Sequence, residues 1–243
     1  MMLQTVVPHG LERRLDPKTG TKVLRAHGWL SFTPADFQDA VLSAAVWRSY
    51  EIGESLIVAG DPPGGMFGFA QGSVAAFTVF GAPDSPMVHL GGPGVWTGEG
   101  SLVTGQPRRI SAVARSPTYV AYVPLPALRE MLAAHPDRWR YIALLVQFTV
   151  DMVVNGLADL MIRDSSRRCA AMILRLGGGR FVDAPTHNEI PITQEDFALM
   201  ANLSRSTVNP ILRKLTRAGL IEAQFGVIRI KNAEELRRIA DGD

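Results

Sequence analysis

Ile192-Thr-Gln-Glu-Asp-Phe-Ala-Leu-Met-Ala-Asn-Leu-Ser-Arg-Ser-Thr-Val-Asn-Pro-Ile-Leu-Arg-Lys-Leu215 reads as two short helices joined by a tight turn. Thr193 is a good N-cap, and Glu195 and Asp196 follow in the first turn, where the helix dipole favours negative charge. Phe197, Met200 and Ala201 supply an apolar face at helical spacing. Asn202 falls at the turn, where a residue tolerant of left-handed backbone angles is needed. Ser204 caps a second helix whose Val208, Ile211, Leu212 and Leu215 repeat at i, i+3, i+4, i+7. Its polar face carries Arg205, Ser206, Thr207, Asn209, Arg213 and Lys214, a set suited to phosphates and base edges.

The segment that follows separates this from an ordinary helical hairpin with a solvated face. Arg217-Ala-Gly219 ends the helix on a basic turn and a glycine. Leu220 to Ile230 then reads as two short strands around Gly226. Helix, turn, helix and β-hairpin in that order make a winged helix-turn-helix, and DNA is its expected partner.

Charge supports that assignment. The whole chain is only +2, but residues 163–231 hold 11 Lys/Arg against 6 Asp/Glu. Phosphate binding needs such a local positive excess. With 243 residues, 47% of them hydrophobic and 20% charged, the chain is globular and long enough for two domains. Cys169 is the single cysteine, which excludes a disulfide framework, a Cys-rich zinc site and an all-cysteine iron–sulfur cluster within one chain. Met-Met-Leu-Gln-Thr-Val-Val lacks the basic and apolar regions of a signal peptide, so a cytoplasmic protein is expected.

Upstream, Pro34 to Val46 is an expected amphipathic helix. Between Trp47 and Pro124 the runs 56–59, 74–80, 87–90, 110–114 and 119–123 read as strands separated by Gly/Pro turns, which argues a β-barrel or jelly roll. Pro126 to Ala134 is an expected short helix. Pro136 to Arg163 is expected as one long helix, about 42 Å at ~1.5 Å per residue. Ile142, Val146, Val150, Val153, Leu157 and Leu160 recur along it and are the expected dimer seam. A second stripe (Ala143, Leu145, Met152, Val154, Met161) needs cover on another side. Gln147, Asp151 and Asn155 at mid-span argue against a membrane crossing. Arg163, Asp164 and Ser165 form the expected hinge, with a new helix over 167–176 stopped by Gly177-Gly-Gly179.

Together these features resemble the CRP/FNR family of bacterial transcription regulators over about residues 30–235. The resemblance is carried by Leu203-Ser-Arg-Ser-Thr-Val-Asn209 against the family's Ser-Arg-x-Thr-Val, and by Tyr50-Glu-Ile-Gly-Glu-Ser-Leu56, Gly72-Ser-Val74 and Gly98-Glu99. It implies an α+β chain. Residues 1–135 would form a cyclic-nucleotide-binding-like β-roll with flanking helices, 136–163 a dimerisation helix, and 164–243 the winged helix-turn-helix. It further implies a homodimer on a pseudo-palindromic operator, with half-sites ~34 Å apart, and RNA polymerase as a candidate partner.

Two departures affect base reading. Family members usually carry glutamate after the arginine and a second arginine four residues later. Ser206 and Pro210 stand there instead. Serine cannot replace a charged acceptor for the cytosine amino group. Pro210 is expected to kink the second helix, the alternative being a helix restarted from an Asn209 cap.

The effector cassette departs as well. Glu99 is present, and either Arg108 or Arg109 stands where the resemblance places the phosphate-binding arginine, but neither is followed by Ser/Thr then Ala. The pair that contacts adenine in the cAMP-responsive member falls on Val153 and Val154, which cannot hydrogen-bond a purine. An internal ion pair between Glu99 and one of the arginines, without cyclic nucleotide, is therefore the leading expectation. His89 alone is placed for haem, and His9, His27, His135 and His187 are scattered, so neither a haem ligand set nor a metal site is expected. The same lack of clustered ligands argues against a cupin-like enzyme. The remaining rival is a sensor or scaffold that acts on a protein and whose winged helix no longer binds DNA.

Overall fold

The computed structural model describes residues 15–78, 87–178 and 188–242. His9, His187, Gly179, and Val79 and Phe80 of one expected strand lie outside them. The chain opens with α1 (Pro17–Ala26), a 3₁₀ turn at Trp29–Phe32, and α2 (Ala35–Ser43). Eight strands follow: β1 (Val46–Tyr50), β2 (Ser55–Ile57), β3 (Met66–Gln71), β4 (Val74–Thr78), β5 (Met87–Gly91), β6 (Trp96–Thr97), β7 (Ile110–Ala114) and β8 (Thr118–Val123). A short α3 (Glu99–Thr104) interrupts them between β6 and β7. They form two antiparallel four-stranded sheets, ordered β1-β8-β3-β6 and β2-β7-β4-β5.

Strand alternation assigns three layers of core. Ile57, Phe67, Phe69, Val74, Ala112 and Val120 meet between the two sheets. Met66, Ala70, Tyr119, Ala121 and Val123 point the other way, under α1, α2 and α4 (Leu125–Ala134). Ala75, Met87 and Leu90, on the outer side of the second sheet, join the core of the C-terminal half. Both faces of both sheets are therefore covered, and β3 and β8 are buried at almost every position. Gly68 is required in β3 because the Trp96 indole lies where its side chain would be, 2.5 Å from an added Cβ.

The long helix is shorter than expected. A 3₁₀ turn at Pro136–Arg138 precedes α5 (Trp139–Met161), which is about 34 Å long at ~1.5 Å per residue. Its first turns belong to the chain's own core. Ile142 and Leu145 are buried, and the carbonyl of Tyr141 accepts the indole N–H of Trp29 at 2.6 Å. Ile142 is thus withdrawn from the expected seam, because it belongs to the core beneath the first sheet, and Val146 is half-buried. Farther on, Val150, Val153, Val154, Leu157, Leu160 and Met161 are all exposed, Val153 and Leu157 at 59% each. By length and composition alone this segment could cross a membrane. Its uncovered apolar half is the feature to be explained.

Asp164 then N-caps α6 (Ser165–Leu176), accepting from the amide of Arg167 at 2.8 Å. The new helix begins two residues earlier than expected because the cap is Asp164 itself. Arg175 reaches back to Asp159 at 2.8 Å, and both side chains are largely buried. β9 (Glu189–Ile190), α7 (Gln194–Met200), α8 (Arg205–Arg217), β10 (Ile221–Gln224), β11 (Val227–Ile230) and α9 (Ala233–Asp241) complete the chain. The third sheet runs β10-β11-β9. Its domain core is built from Ile173, Phe197, Ala198, Val208, Leu212, Ile228 and Leu236.

That domain docks on the outer face of the second sheet. Arg115, in the turn after β7, donates to Asp196 of α7 at 2.9 Å. His89 of β5 lies in the same contact, with its Nδ1 shielded and unpartnered and Arg175 nearby. Burial first, and the Arg175 charge second, hold its pKa down to about 4. His89 is thus half-buried where the two halves of the chain meet.

Two outcomes follow from this packing. Asp159→Ala leaves Arg175 buried without its carboxylate and should cost about 3–5 kcal/mol in denaturant unfolding. His89 is neutral in the fold, whereas in the unfolded chain it titrates near 6.5. The unfolded state then binds more protons between those values, so stability should fall as pH drops from about 6.5 towards 4. The loss should reach at most about 3 kcal/mol, and His89→Leu should flatten that part of a denaturant-midpoint-against-pH curve. An unchanged curve in the variant would place the acid sensitivity elsewhere.

Candidate nucleic-acid interface and effector pocket

Local capping sets the angle of the helix pair. Thr193 accepts from the Asp196 amide and Ser204 from the Thr207 amide, so each helix starts where its hydroxyl stops the preceding backbone. Between them Asn202 takes φ +51°, the only left-handed non-glycine residue among the described ones. The turn expected there from sequence is the turn observed. α8 runs unbroken from Arg205 to Arg217 with Pro210 inside it. Ser204 remains the cap, so the helix does not restart at Asn209. Pro210 sits on the exposed side, where its ring displaces no core contact. The amide that Pro210 lacks would otherwise have bonded the Ser206 carbonyl.

Val208, Leu212 and Leu215 bury one face of α8. Arg205, Ser206, Arg213, Lys214 and Arg217 are all exposed; at ~100° per residue Ser206, Arg213 and Arg217 share the opposite face, and Arg205 and Lys214 stand on its two flanks. Arg205 is 63% exposed and only 4.0 Å from the equally exposed Glu195, a loose contact worth little in water. Ser204, Ser206 and Thr207 cluster their hydroxyls at 2.7 and 2.9 Å. At ~100° per residue, Lys214 lies about a quarter turn from Arg213, on the flank of the face.

Asn209 is placed differently from its expected role. It is half-buried, with a shielded and unpartnered Oδ1, and it lines a cleft of ≈ 360 Å³. Gln194, Arg213, Thr216, Arg217 and Ala223 form the rest of that cleft, between α8 and the wing strand β10. Thr216 and Arg217 were not among the sequence candidates. Arg217 stands four residues after Arg213, so the i, i+4 spacing was the available signal.

In the β-roll the two candidate arginines separate. Arg109 is exposed, whereas Arg108 is buried. The Arg108 guanidinium donates to the carbonyls of Gly98, at 3.2 Å, and of Gly65. An added Cβ at Gly64 or Gly98 would come within 2.7 or 2.9 Å of it, so glycine makes room for the group on both sides. Burial lowers the Arg108 pKa, opposed by Tyr122, Glu99 and Asp61. Arginine stays a cation regardless.

Glu99 is buried at the start of α3 and accepts from the Thr149 hydroxyl of α5 at 2.8 Å. The expected Glu99–arginine ion pair is therefore replaced by two separate arrangements. Arg108 is held by main-chain carbonyls, and Glu99 by the long helix. Sequence reading did not single out Thr149, since a lone threonine in an apolar helix carries no motif. Val153 and Val154 are exposed on α5 and supply no hydrogen bond to a base.

Cys169 is buried, and burial pushes its pKa up to about 12, so it stays a thiol. Among the described residues no cluster of His, Cys, Asp and Glu could hold a metal ion.

Comparison with known proteins places both halves. Residues 47–135 match the cyclic nucleotide-binding domain model, and residues 167–239 match the Crp-like helix-turn-helix domain model. A CRP-like cAMP-activated global transcriptional regulator of Mycobacterium tuberculosis is 29% identical over 169 residues, 65% of this chain and 73% of that protein. The cyclic AMP receptor protein of Thermus thermophilus is 27% identical over 222 residues, 84% and 92% of the two chains. Two solved structures share the fold. One is a CRP/FNR-family transcriptional regulator from Thermus thermophilus (TM-score 0.61, 20% identity, covering 81% of this chain and 98% of that one). The other is FixK2 from Bradyrhizobium japonicum (TM-score 0.67, 18% identity, 80% and 96%). A nucleotide-binding-type β-roll, a long connecting helix and a Crp-like helix-turn-helix stand in one chain in the family's order, and the protein is a member of the CRP/FNR family of transcription regulators.

Proposed function

We propose that this chain is a sequence-specific DNA-binding regulator that works in the cytoplasm as a homodimer and needs no cyclic nucleotide to bind its operator. One observation carries the DNA reading. α8 offers Ser206, Arg213 and Arg217 from one solvent face and Arg205 and Lys214 from its two flanks, with no ion pair closer than the 4.0 Å Arg205–Glu195 contact among the described residues. Arg205 and the Ser204–Thr207 hydroxyls enter the major groove from the helix N-terminus, Arg213 reads or grips beside them, and Lys214 takes a flanking phosphate. Asn209 acts from within the cleft, fixing its wall rather than reaching out.

The homodimer reading rests on the exposed half of α5. Val150, Val153, Leu157 and Leu160 form a stripe that a second copy of the same helix would cover. The hinge at Arg163, Asp164 and Ser165 would then set the separation of two α8 helices at about one DNA turn, ~34 Å. RNA polymerase is a further partner, given that the relatives are named as global transcriptional regulators.

Effector independence rests on the β-roll. The two groups that the family resemblance assigns to ribose and phosphate, Glu99 and Arg108, already hold Thr149, Gly65 and Gly98. These contacts fix both side chains without a ligand, and Arg109 is turned to solvent. The chain's own groups stand where an effector would bind.

Duplexes selected from a random-sequence library should bind the protein without added nucleotide. Their affinity should fall about 10³-fold or more between 50 and 200 mM salt if some six or more phosphates are engaged. Arg205→Ala should lower it by roughly 10–100-fold, and saturating cAMP should not change it. Absence of salt-dependent binding to any duplex would defeat the DNA reading, and a cAMP-dependent gain would defeat effector independence alone. In sedimentation, Leu157→Asp should convert a dimer to monomer. A wild-type monomer at micromolar concentration would overturn the α5 pairing.

A further inference from the structure

The wing ends in Phe225, which is 102% exposed, the most exposed large apolar residue among the described ones. β10 and β11 pair through Gln224 and Val227, so Phe225 and Gly226 are the entire loop, with Gly226 at φ +77°. Two-residue loops favour asparagine, aspartate or glycine, which satisfy the turn without exposing apolar surface. A phenylalanine at this apex contributes nothing to the turn and takes part in no aromatic pair among the described residues.

The wing is not built as a phosphate clamp. Lys231 pairs with Glu222 at 3.0 Å, Arg229 pairs with Glu189 at 2.6 Å, and Arg229 also lies 3.7 Å from Glu222. Lys231, through its hydrogen bond first, keeps the Glu222 carboxyl below its ordinary pKa. The basic groups free to meet a phosphate lie instead on α8, in the cleft that Arg213 and Arg217 share with Ala223 of β10. Ala223 is two residues before Phe225, about 7 Å at ~3.4 Å per strand residue. A DNA backbone seated in that cleft would have α8 in the major groove on one side. The apex would then lie over the adjoining minor groove, about 6 Å wide, on the other.

We propose that Phe225 is an apolar wedge that enters the minor groove beside each half-site and unstacks one base step, bending the DNA towards the major groove at that step. Apolar side chains that partly unstack a step kink a duplex by tens of degrees, and flexible pyrimidine–purine steps yield most easily. The wing thus adds a sequence preference at positions that α8 does not reach. This inference rests on the DNA reading above.

Wild-type protein is used to select duplexes from a random-sequence library, and 2-aminopurine is then placed in turn at each step flanking the α8 footprint. Wild-type protein should raise the fluorescence at one flanking step per half-site and should bend the duplex in a circular-permutation assay. Phe225→Ala should abolish both signals and weaken binding roughly tenfold, while leaving the α8 footprint unchanged. Phe225→Leu should retain most of both, because a wedge needs shape and apolarity rather than an aromatic ring. The exposed site makes misfolding of either variant no explanation. Unchanged unstacking and bending in Phe225→Ala would overturn the wedge and send the apex to a protein partner. Failure of wild-type protein to select any duplex would defeat the DNA reading and the wedge together, an outcome distinct from selective loss in the variant.

Discussion

The geometry of the whole chain depends on the buried pair of Asp159 and Arg175. One lies near the end of the long helix and the other well inside the next, and the short connection between them could set many angles. Burying a carboxylate and a guanidinium is costly in isolation, so neither can separate from the other without exposing an unpaired charge to a low dielectric. That penalty selects one angle at the hinge. The chosen angle brings the C-terminal core onto the outer face of the second sheet, where Arg115 meets Asp196 and His89 is enclosed. The DNA-binding half is thereby held against the β-roll by charge at its edge and apolar contact at its centre.

The β-roll is internally satisfied in a way that bears on control. A ligand can shift a sensor only by as much as its affinity differs between the two states. Here Arg108 has two carbonyl acceptors and Glu99 has a hydroxyl donor, each supplied by the same chain. Glu99 also ties α3 to α5 through Thr149. The β-roll and the long helix are thus joined through the same carboxylate that the family resemblance assigns to a ligand.

Much of the C-terminal half was legible because its signals are local. Thr193, Asn202, Ser204 and Gly219 punctuate two amphipathic helices, and each governs the few residues beside it. The β-roll was less legible for a physical reason. β3 and β8 are covered on both faces, so Met66 to Gln71 shows no alternation, and Gly68 reads as a breaker until the Trp96 ring is seen against it. α1 was hidden similarly, since Gly20 weakens a helical pattern but is needed where the Trp47 ring lies 2.5 Å from an added Cβ. At the sites, periodicity gave the faces of α5 and α8 but not their neighbours. Ile142 fits the seam by spacing, yet it is buried in the chain's own core, and Asn209 fits the DNA face, yet it is half-buried with a shielded oxygen. The choice between Arg108 and Arg109 turned on main-chain carbonyls from Gly65 and Gly98, which no side-chain motif can announce.

The uncovered half of α5 has a consequence for the protein's lifetime in the cell. A stripe of this size favours whichever state hides it, and when the hiding partner is an identical chain, mass action enters the folding equilibrium itself. Diluted copies would then be both less folded and more open to proteolysis than concentrated ones. Such a protein would turn a modest change in synthesis rate into a steeper change in the amount that survives.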